Sequence, residues 1–364
     1  KRCARRSSGA TRRAGTRSTS RRHWPDLCPR TKGREGTDPD TRLSSLLPGI
    51  DAIRAAYRRI KAHIHRTPLL SSRSLGALHG ATVWLKPENL QRAGAFQLRG
   101  ALNALLCARE RGEIGRAGVL TYSSGNHGQA VALAASILGC PAAVVVPEDI
   151  ARVKLAAIEA YGARAVTCGL TSEDRHQGAL RIARETGAAV IPLYDHPDII
   201  AGQGTIALEV LEDLPEADAI LVPIGGGGLI AGIAIGAKAI KPALRILGVE
   251  PSTSNDMALS LESGKKVRIA PSKTIADGLR AITPGDLTFE AVKRHVDRVL
   301  CVDDGAILEA QRFLLERAKL LVEPSGAITA AAFTIHGSEL AGTTVVLVLS
   351  GGNTDLPPSE KVAP

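Results

Sequence analysis

The chain contains the stretch Pro223-Ile224-Gly225-Gly226-Gly227-Gly228-Leu229, in which four glycines separate two apolar segments. The segment before the glycines, 219–223, is predicted to be a buried strand, and the segment after them, 229–240, a helix. Such a loop lets backbone amides approach an anion closely, and the positive end of the helix dipole favours negative charge there. A tight turn would need only one or two glycines. We therefore predict that this loop binds a phosphate group, although its spacing fits neither the dinucleotide fingerprint nor the ATP-binding P-loop.

The regions on both sides of this loop alternate between short apolar runs and segments with helical character. This alternation is typical of parallel strands joined by crossover helices, and it predicts an α/β protein. The last predicted strand is a continuous run of apolar and β-branched residues, so both of its faces should be buried. The predicted strands are 83–86, 118–122, 142–147, 165–168, 189–193, 219–223, 245–249 and 343–349, and the predicted helices are 48–64, 101–111, 129–138, 151–161, 172–186 and 229–240.

Two further polar loops follow predicted strands. One reads Ser123-Ser124-Gly125-Asn126 and precedes a helix, and the other, Ser350-Gly351-Gly352-Asn353, follows the last strand. Serine and asparagine at a helix start also serve as caps, so composition alone fits a cap and a carboxylate site equally well in the first loop. Because the carboxyl ends of parallel strands meet at one edge of a sheet, three such loops predict a binding crevice there.

The net charge of +10 is concentrated at one end of the 364-residue chain. Residues 1–42 hold thirteen Lys and Arg against four Asp and Glu, and the remainder is almost neutral. The basic tail contains few aliphatic residues and is predicted to be disordered. It fits an extension from cloning better than a targeting peptide, because it lacks an apolar helical face. The nearly neutral charge of the remaining residues argues against a nucleic-acid partner. Only the basic tail 1–42 could bind nucleic acid, as a polybasic arm.

The six cysteines show no CxxC pair and no histidine at ligand spacing, which argues against a zinc site or a disulfide framework. They are Cys3, Cys28, Cys107, Cys140, Cys168 and Cys301. The sequence contains no apolar run long enough to suggest a membrane span and no signal peptide pattern. We expect a cytoplasmic protein with reduced thiols and no membrane partner.

Six motifs that occur in order carry a resemblance to a known family. The chain resembles the fold-type II pyridoxal-phosphate (PLP) enzymes, which share the fold of the tryptophan synthase beta subunit, and is most similar to threonine dehydratases, serine dehydratases and serine racemase. The motifs are Lys86-Pro87-Glu88-Asn89-Leu90-Gln91, Ser124-Gly125-Asn126-His127, Ala201-Gly202-Gln203-Gly204-Thr205, the four-glycine loop, Thr274-Ile275-Ala276-Asp277-Gly278 and Ser350-Gly351-Gly352-Asn353.

The resemblance implies two parallel-sheet α/β domains with the cofactor cleft between them. The larger, PLP-binding domain would comprise 43–117 and 196–356, and the smaller, substrate-side domain 118–195. The basic tail 1–42 and a short tail 357–364 would lie outside both. The resemblance also implies a homodimer that acts on a small amino acid.

The resemblance also implies a role for individual residues. Phe96 would lie beside the PLP ring, Asn126 would bind the ring hydroxyl, and Ser350 would face the pyridine nitrogen. Ser124 matches the hydroxyl that serves racemases as an acid or base. The PLP phosphate would be bound by Gly225, Gly226, Gly227 and Gly228, and the substrate carboxylate by Ser123, Ser124, Gly125 and Asn126.

A divalent-cation site of this group maps onto Glu250, the carbonyl of Ser254 and Asp256. Oxygen ligands suit magnesium, calcium or manganese. Two solvated acids in a loop after a strand would explain the same residues equally well.

One departure from the family pattern decides the expected chemistry. The family reads Lys/Arg-Thr-Gly-Ser-Phe-Lys, whereas this chain reads Arg92-Ala93-Gly94-Ala95-Phe96-Gln97. The residue missing at position 97 is the lysine that holds PLP as a Schiff base. A glutamine amide is neither a nucleophile toward an aldehyde nor a base near neutral pH, and loss of a positioned base alone costs roughly a hundred- to ten-thousand-fold in rate. Lys86 is the alternative nucleophile that the sequence offers.

Three functions follow from these observations. The first is a PLP-fold protein of the threonine/serine ammonia-lyase and serine racemase group that is inactive or repurposed, and that holds either PLP non-covalently or another small phosphorylated or carboxylated ligand. The second is a working dehydratase or racemase for small hydroxy amino acids in which another group supplies the missing function. The third is nucleic-acid binding through the Arg-rich tail.

Overall fold

Within the described residues, which are 43–123, 125–150 and 152–354 of this computed structural model, ten strands form two sheets. The basic tail 1–42, the C-terminal tail 357–364, Ser124 and Ala151 lie outside the described residues. None of the helices in the described part of the chain is long and apolar enough to cross a membrane. Cys107, Cys140, Cys168 and Cys301 are free thiols.

The elements alternate along most of the chain. The strands are β1 (Leu70–Ser71), β2 (Thr82–Pro87), β3 (Val119–Thr121), β4 (Ala142–Val146), β5 (Arg164–Thr167), β6 (Ala189–Val190), β7 (Ala219–Pro223), β8 (Arg245–Pro251), β9 (Arg298–Val302) and β10 (Thr344–Leu349). The helices are α1 (Ile50–Ile60), α2 (Arg73–His79), α3 (Gln97–Glu110), α4 (Asn126–Leu138), α5 (Arg152–Ala160), α6 (Ser172–Thr186), α7 (Pro197–Asp213), α8 (Gly228–Ile240), α9 (Asp256–Ser263), α10 (Asp286–His295), α11 (Asp304–Phe313) and α12 (Pro324–His336).

The larger sheet has the strand order β1-β2-β10-β7-β8-β9, and the smaller sheet has the order β5-β4-β3-β6. All neighbouring strands are parallel except β1, which pairs antiparallel with β2 at the edge. The α/β class with two parallel sheets is therefore confirmed. The smaller sheet lies entirely within the predicted domain 118–195, but the domain boundaries themselves stay predictions.

Strand β10 shows why the larger sheet is covered on both faces. Val345, Leu347 and Leu349 belong to the apolar cluster that contains Phe333 of α12, and Val346 and Val348 belong to the cluster on the opposite face. All five of these β10 residues are fully buried. The prediction of a strand buried on both faces is confirmed, because helices pack against both sides of a parallel sheet.

Two helices near the site begin earlier than the sequence predicted. Helix α3 begins at Gln97 rather than at residue 101, and α4 begins at Asn126 rather than at residue 129. Glycines with low helix propensity, Gly100 and Gly128, stand in the first turns and obscured both starts. Gln97 and Asn126 are therefore each the first residue of a helix rather than loop residues.

The longest helix in the described residues, α7, was missed because Gly202 and Gly204 interrupt its pattern. A Cβ on Gly202 would lie 2.6 Å from the carbonyl oxygen of Arg99, and one on Gly204 would lie 2.8 Å from the carbonyl oxygen of Gly232. The two glycines thus allow α7 to pack closely against both α3 and α8. Close approach outweighs the helix propensity that they lose.

A fully buried ion cluster joins β2, α3 and α7. Arg99 donates hydrogen bonds to both carboxylate oxygens of Glu88 (both 2.8 Å) and to Glu209 (2.7 and 2.8 Å). Lys86 Nζ donates to Glu209 Oε2 (2.6 Å) and to the carbonyl of Thr67 (2.7 Å). All four charged side chains are completely buried, and the two positive charges balance the two negative ones.

We expect Glu209→Gln to destabilise the fold by about 3–5 kcal/mol, because it leaves a positive charge buried without a partner. Unfolding by urea, followed by circular dichroism, measures this loss. Glu212→Gln is the matched control on the same helix, since Glu212 is exposed and pairs with Arg66 at the surface. That control should cost less than about 1 kcal/mol. Equal losses in the two variants would contradict the role assigned to the buried cluster.

Candidate functional site

The four-glycine loop lies between β7 and α8, as the sequence predicted. Gly227 adopts a left-handed conformation, with φ of 91°, and is the N-cap of α8, with no side chain capping the helix. A Cβ on Gly226 would lie 2.3 Å from the ring of Tyr194, and one on Gly225 would lie 2.8 Å from the carbonyl oxygen of Gly278. The loop therefore requires glycine, and no side chain among the described residues caps the first turn of α8.

The glycine loop is braced by the start of α10. Thr288 Oγ1 donates a hydrogen bond to the carbonyl oxygen of Gly226 at 2.8 Å. Asp195 in turn accepts hydrogen bonds from the amides of Asp286, Leu287 and Thr288. Asp195 thus holds the start of α10 in place, and Thr288 of α10 holds the glycine loop at Gly226.

The loop at the start of α4 meets the loop after β10. Asn353 Nδ2 donates to Asn126 Oδ1 at 2.9 Å and to the carbonyl of Ala93 at 2.8 Å. Asn126 Nδ2 donates to Glu323 Oε1 at 2.7 Å. These bonds join the segment before α3, the start of α4 and the end of β10 at one place.

The four-glycine loop reaches the same place through two intermediate residues. Gly278 packs against Gly225, and its amide donates to Ser325 Oγ at 3.0 Å. The carbonyl of Ser325 accepts a hydrogen bond of 3.4 Å from Ser350 Oγ. The three polar loops therefore converge, as predicted from the parallel sheet.

Gln97 directly follows a segment that is bound to the loop after β10. The amide of Phe96 donates to the carbonyl of Ser350 at 3.1 Å, and Ala95 pairs with Gly351 in an isolated bridge. These bonds hold the backbone just before Gln97 against the loop that follows β10. The side-chain oxygen of Gln97 is buried and has no hydrogen-bond partner among the described residues.

The other predicted site residues lie in the same region, but their roles remain predictions. Gly125 is the N-cap of α4, and its amide donates to Ser123 Oγ at 3.3 Å. Phe96 packs against the apolar cluster beneath the larger sheet, and Ser350 is buried. Ser124, predicted to act as an acid or base, lies outside the described residues.

The sequence reasoning missed Glu323, which is buried and in direct contact with Asn126. Glu323 is the N-cap of α12, and Pro324 is the first residue of that helix. A proline that opens an apolar segment marks a helix start, and this signal could have placed Glu323 at the edge of the sheet.

The environment of Glu323 favours its protonated form. Burial raises the pKa of Glu323 to about 8, and the charge of Asp277 adds to the rise. The hydrogen bond from Asn126 and the charge of Lys154 act in the opposite direction. Lys154 of α5 also forms an ion pair of 2.6 Å with Asp277. This ion pair links the region of the smaller sheet to the residue next to Gly278, which packs against the glycine loop.

The geometry places Lys86 in a structural role. Its ammonium group is completely buried and is bound to Glu209 and to Thr67 in the ion cluster. Burial lowers the pKa of Lys86, although the charge of Glu209 opposes this effect. As a nucleophile it would have to break two hydrogen bonds and leave Glu209 without one partner, so this position does not replace a lysine at 97.

The predicted cation ligands lie together after β8. Glu250 is buried and accepts hydrogen bonds from the amides of Met257 (3.0 Å) and Ala258 (2.9 Å) at the start of α9. Asp256 Oδ2 is buried without a partner among the described residues. Burial raises the pKa of Glu250 to about 8 and that of Asp256 to about 6. Glu250 thus already serves as a helix cap, while one carboxylate oxygen of Asp256 has no partner among the described residues. The described residues contain no cluster of three or more His, Cys, Asp or Glu suited to a metal.

Comparison with known proteins identifies the family. The sequence model described as "Pyridoxal-phosphate dependent enzyme" matches residues 60–351. The chain belongs to this family. The resemblance drawn from the six motifs and the fold-type II architecture are therefore confirmed.

Relatives and solved structures narrow the group. The chain is 43% identical to L-threo-3-hydroxyaspartate ammonia-lyase of Saccharomyces cerevisiae over 311 residues, which is 85% of this chain and 95% of the relative. It is 45% identical to serine racemase of Arabidopsis thaliana over 310 residues, 84% of this chain and 93% of the relative. The structure of maize serine racemase superposes with a TM-score of 0.81 at 43% identity and covers 85% of this chain and 94% of that chain. The crystal structure of a T.th. threonine deaminase gives the same TM-score of 0.81 at 45% identity and covers 85% of this chain and 100% of that chain.

We expect the pH dependence of stability to report on Glu323. A carboxyl whose folded pKa lies above its unfolded value of 4.5 stabilises the fold below the unfolded pKa and loses this contribution as the pH rises through the folded pKa. The unfolding free energy of the wild type should therefore fall between about pH 5 and pH 8, and Glu323→Gln should show a smaller fall. Urea unfolding at several pH values measures both curves.

Glu309→Gln, which removes an exposed carboxylate, is the control for this experiment and should follow the wild-type curve. If the curves of the wild type and of Glu323→Gln run parallel over this range, Glu323 is not the protonated carboxyl that the geometry describes.

Proposed function

We propose that this protein binds PLP non-covalently and that its activity as an ammonia-lyase or racemase on small hydroxy amino acids is lost or severely reduced. One observation carries the proposal: the glycine loop lies at the uncapped start of α8 and meets the other polar loops, while the sequence has Gln97 where the family pattern has its lysine. The relatives named for L-threo-3-hydroxyaspartate, serine and threonine support the substrate class.

The residues of the site suit the parts of PLP other than its aldehyde. Gly225, Gly226, Gly227 and Gly228 would hold the phosphate at the uncapped start of α8. Asn126 would bind the ring hydroxyl and is already oriented by its bonds to Glu323 and Asn353. Phe96 would lie beside the ring.

PLP supplies an electron sink that stabilises a carbanion next to the substrate nitrogen. In this chain Ser350 would face the ring nitrogen with a neutral hydroxyl, and Ser123, Ser124, Gly125 and Asn126 would orient the substrate carboxylate. Gln97 can neither bind the aldehyde covalently nor accept a proton from the substrate near neutral pH. Binding and orientation would thus be retained while proton transfer is lost.

The runner-up is a working dehydratase or racemase in which another group replaces the lysine. The buried ion pairs of Lys86 argue against that residue as the replacement. On the basis of the same family resemblance, the proposal also includes a homodimer and a division into two domains at residues 117 and 195.

We expect Gln97→Lys to restore a covalent link to PLP and the release of ammonia from serine or threonine. The gain in rate over the wild type should be at least about a hundredfold, because a positioned base contributes that much. Borohydride reduction followed by peptide mass spectrometry locates the link, and assays for pyruvate and 2-oxobutyrate measure the reaction.

Gln97→Met, which has a similar length but no amine, is the matched control and should show neither the link nor the gain. If borohydride joins PLP to any lysine of the unaltered protein, the runner-up function replaces the proposed one.

We also propose a divalent cation held by Glu250, Asp256 and the carbonyl of Ser254. The unpartnered oxygen of Asp256 and the repulsion between the two buried carboxyls support it, because a cation would offset both.

Magnesium, calcium or manganese at a hundredfold excess over its Kd should stabilise the protein by about 2.7 kcal/mol. Thermal unfolding should show this shift in the wild type and in Glu262→Gln, an exposed control on the same helix, but not in Asp256→Asn. Equal shifts in all three proteins would exclude the site.

A further inference from the structure

The side-chain oxygen of Gln97 is a buried hydrogen-bond acceptor without a donor among the described residues. A buried polar atom in this state costs about 1–3 kcal/mol, so native structures almost always provide it with a partner. A missing partner within a binding crevice points to a ligand.

The backbone on both sides of Gln97 is fixed. On one side, the amide of Phe96 is bound to Ser350, and Ala95 pairs with Gly351. On the other side, Arg99 is locked by its bonds to Glu88 and Glu209 in the buried ion cluster. Gln97 therefore cannot move its side chain to another partner by shifting the start of α3.

Neither of the two asparagine side chains at this junction donates to Gln97. Asn126 Nδ2 donates to Glu323, and Asn353 Nδ2 donates to Ala93 and to Asn126. A bound ligand can supply the donor that the Gln97 oxygen lacks among the described residues. Since an amide oxygen accepts its strongest hydrogen bonds from positively charged donors, the Gln97 position favours a ligand with a positively charged nitrogen.

We propose that the side-chain oxygen of Gln97, at the position where the family pattern has its PLP-binding lysine, accepts a hydrogen bond from the protonated nitrogen of a small α-amino acid. The inference rests on the proposed function, because it takes the glycine loop to hold the phosphate of PLP. The nitrogen could belong to the free amino acid or to the imine that forms in solution. There the ammonium group condenses with the PLP aldehyde, a C=N bond replaces the C=O bond, and the oxygen leaves as water, so that the nitrogen keeps one proton and the positive charge.

The site would then bind and retain an amino acid instead of converting it. A lysine at position 97 would carry a positive charge and repel the ligand nitrogen, whereas the amide oxygen of glutamine accepts a hydrogen bond from it. A charge-assisted hydrogen bond of this kind accounts for roughly a ten- to hundredfold gain in affinity.

Isothermal titration calorimetry on the full chain tests the inference with two ligands, L-serine and 3-hydroxypropionate, which is serine without its amino group. The wild type should bind L-serine at least about tenfold more tightly. Gln97→Met should lose about ten- to a hundredfold in affinity for L-serine and little for 3-hydroxypropionate, which removes the difference between the ligands. Gln177→Met, a substitution at an exposed glutamine of α6, should behave as the wild type.

Repeating the titrations with and without saturating PLP separates the two sources of the nitrogen. Binding of L-serine only with PLP present indicates the imine, and binding without PLP indicates the free amino acid. Titration of PLP alone, followed by absorbance, tests the proposed function separately and also shows whether Gln97→Met keeps an intact site.

If PLP binds but L-serine and 3-hydroxypropionate bind the wild type equally, the inference about Gln97 is wrong and the proposed function stands. If PLP itself does not bind the wild type, the proposed function fails, and with it the inference. Should Gln97→Met lose PLP binding through misfolding, the comparison of the two ligands on the wild type still decides the question.

Discussion

The buried ion cluster around Arg99 constrains the rest of the structure. It joins β2, the start of α3 and α7 through charged groups that are completely excluded from water. Burial alone would raise the pKa of Glu88, but the charge and hydrogen bonds of Arg99 outweigh this effect and lower it. Each charge is tolerated only because its partners hold it at short range, so none of the three elements can shift independently. Residue 97 lies two positions before Arg99, and its place in the crevice follows from this cluster.

The site separates binding from chemistry in an unusual way. In the proposed function, phosphate binding would depend on backbone amides, on the close packing of glycines and on the end of a helix, none of which requires a reactive side chain. Proton transfer and covalent attachment would depend on a single amine. Under that proposal, replacement of one side chain would abolish turnover while the residues that hold the ligand remain, and Asn126 is still bonded to Glu323 and Asn353.

How much could be predicted from the sequence depended on whether local signals agreed with tertiary packing. The strand-glycine-helix unit at 219–240 was predicted correctly, because apolar runs and four glycines in a row leave few alternatives. Helix α7 was missed because two glycines that weaken the local signal are required by the neighbouring helices. Glu323 was missed for a related reason: Pro324 marks a helix start, but only the fold buries Glu323 beside Asn126, 197 positions away in the chain.

Residue order alone was enough to establish the α/β class and the family, and to predict from the family pattern that position 97 lacks an amine, since these depend on local pattern and on the chemistry of one side chain. The folded chain was needed to show that three loops converge, that Lys86 is held in an ion cluster, and that the oxygen of Gln97 lacks a donor among the described residues. Those facts depend on burial and on contacts between residues far apart in the chain, and the free energy of a charge or an amide is set by these surroundings rather than by its neighbours in sequence.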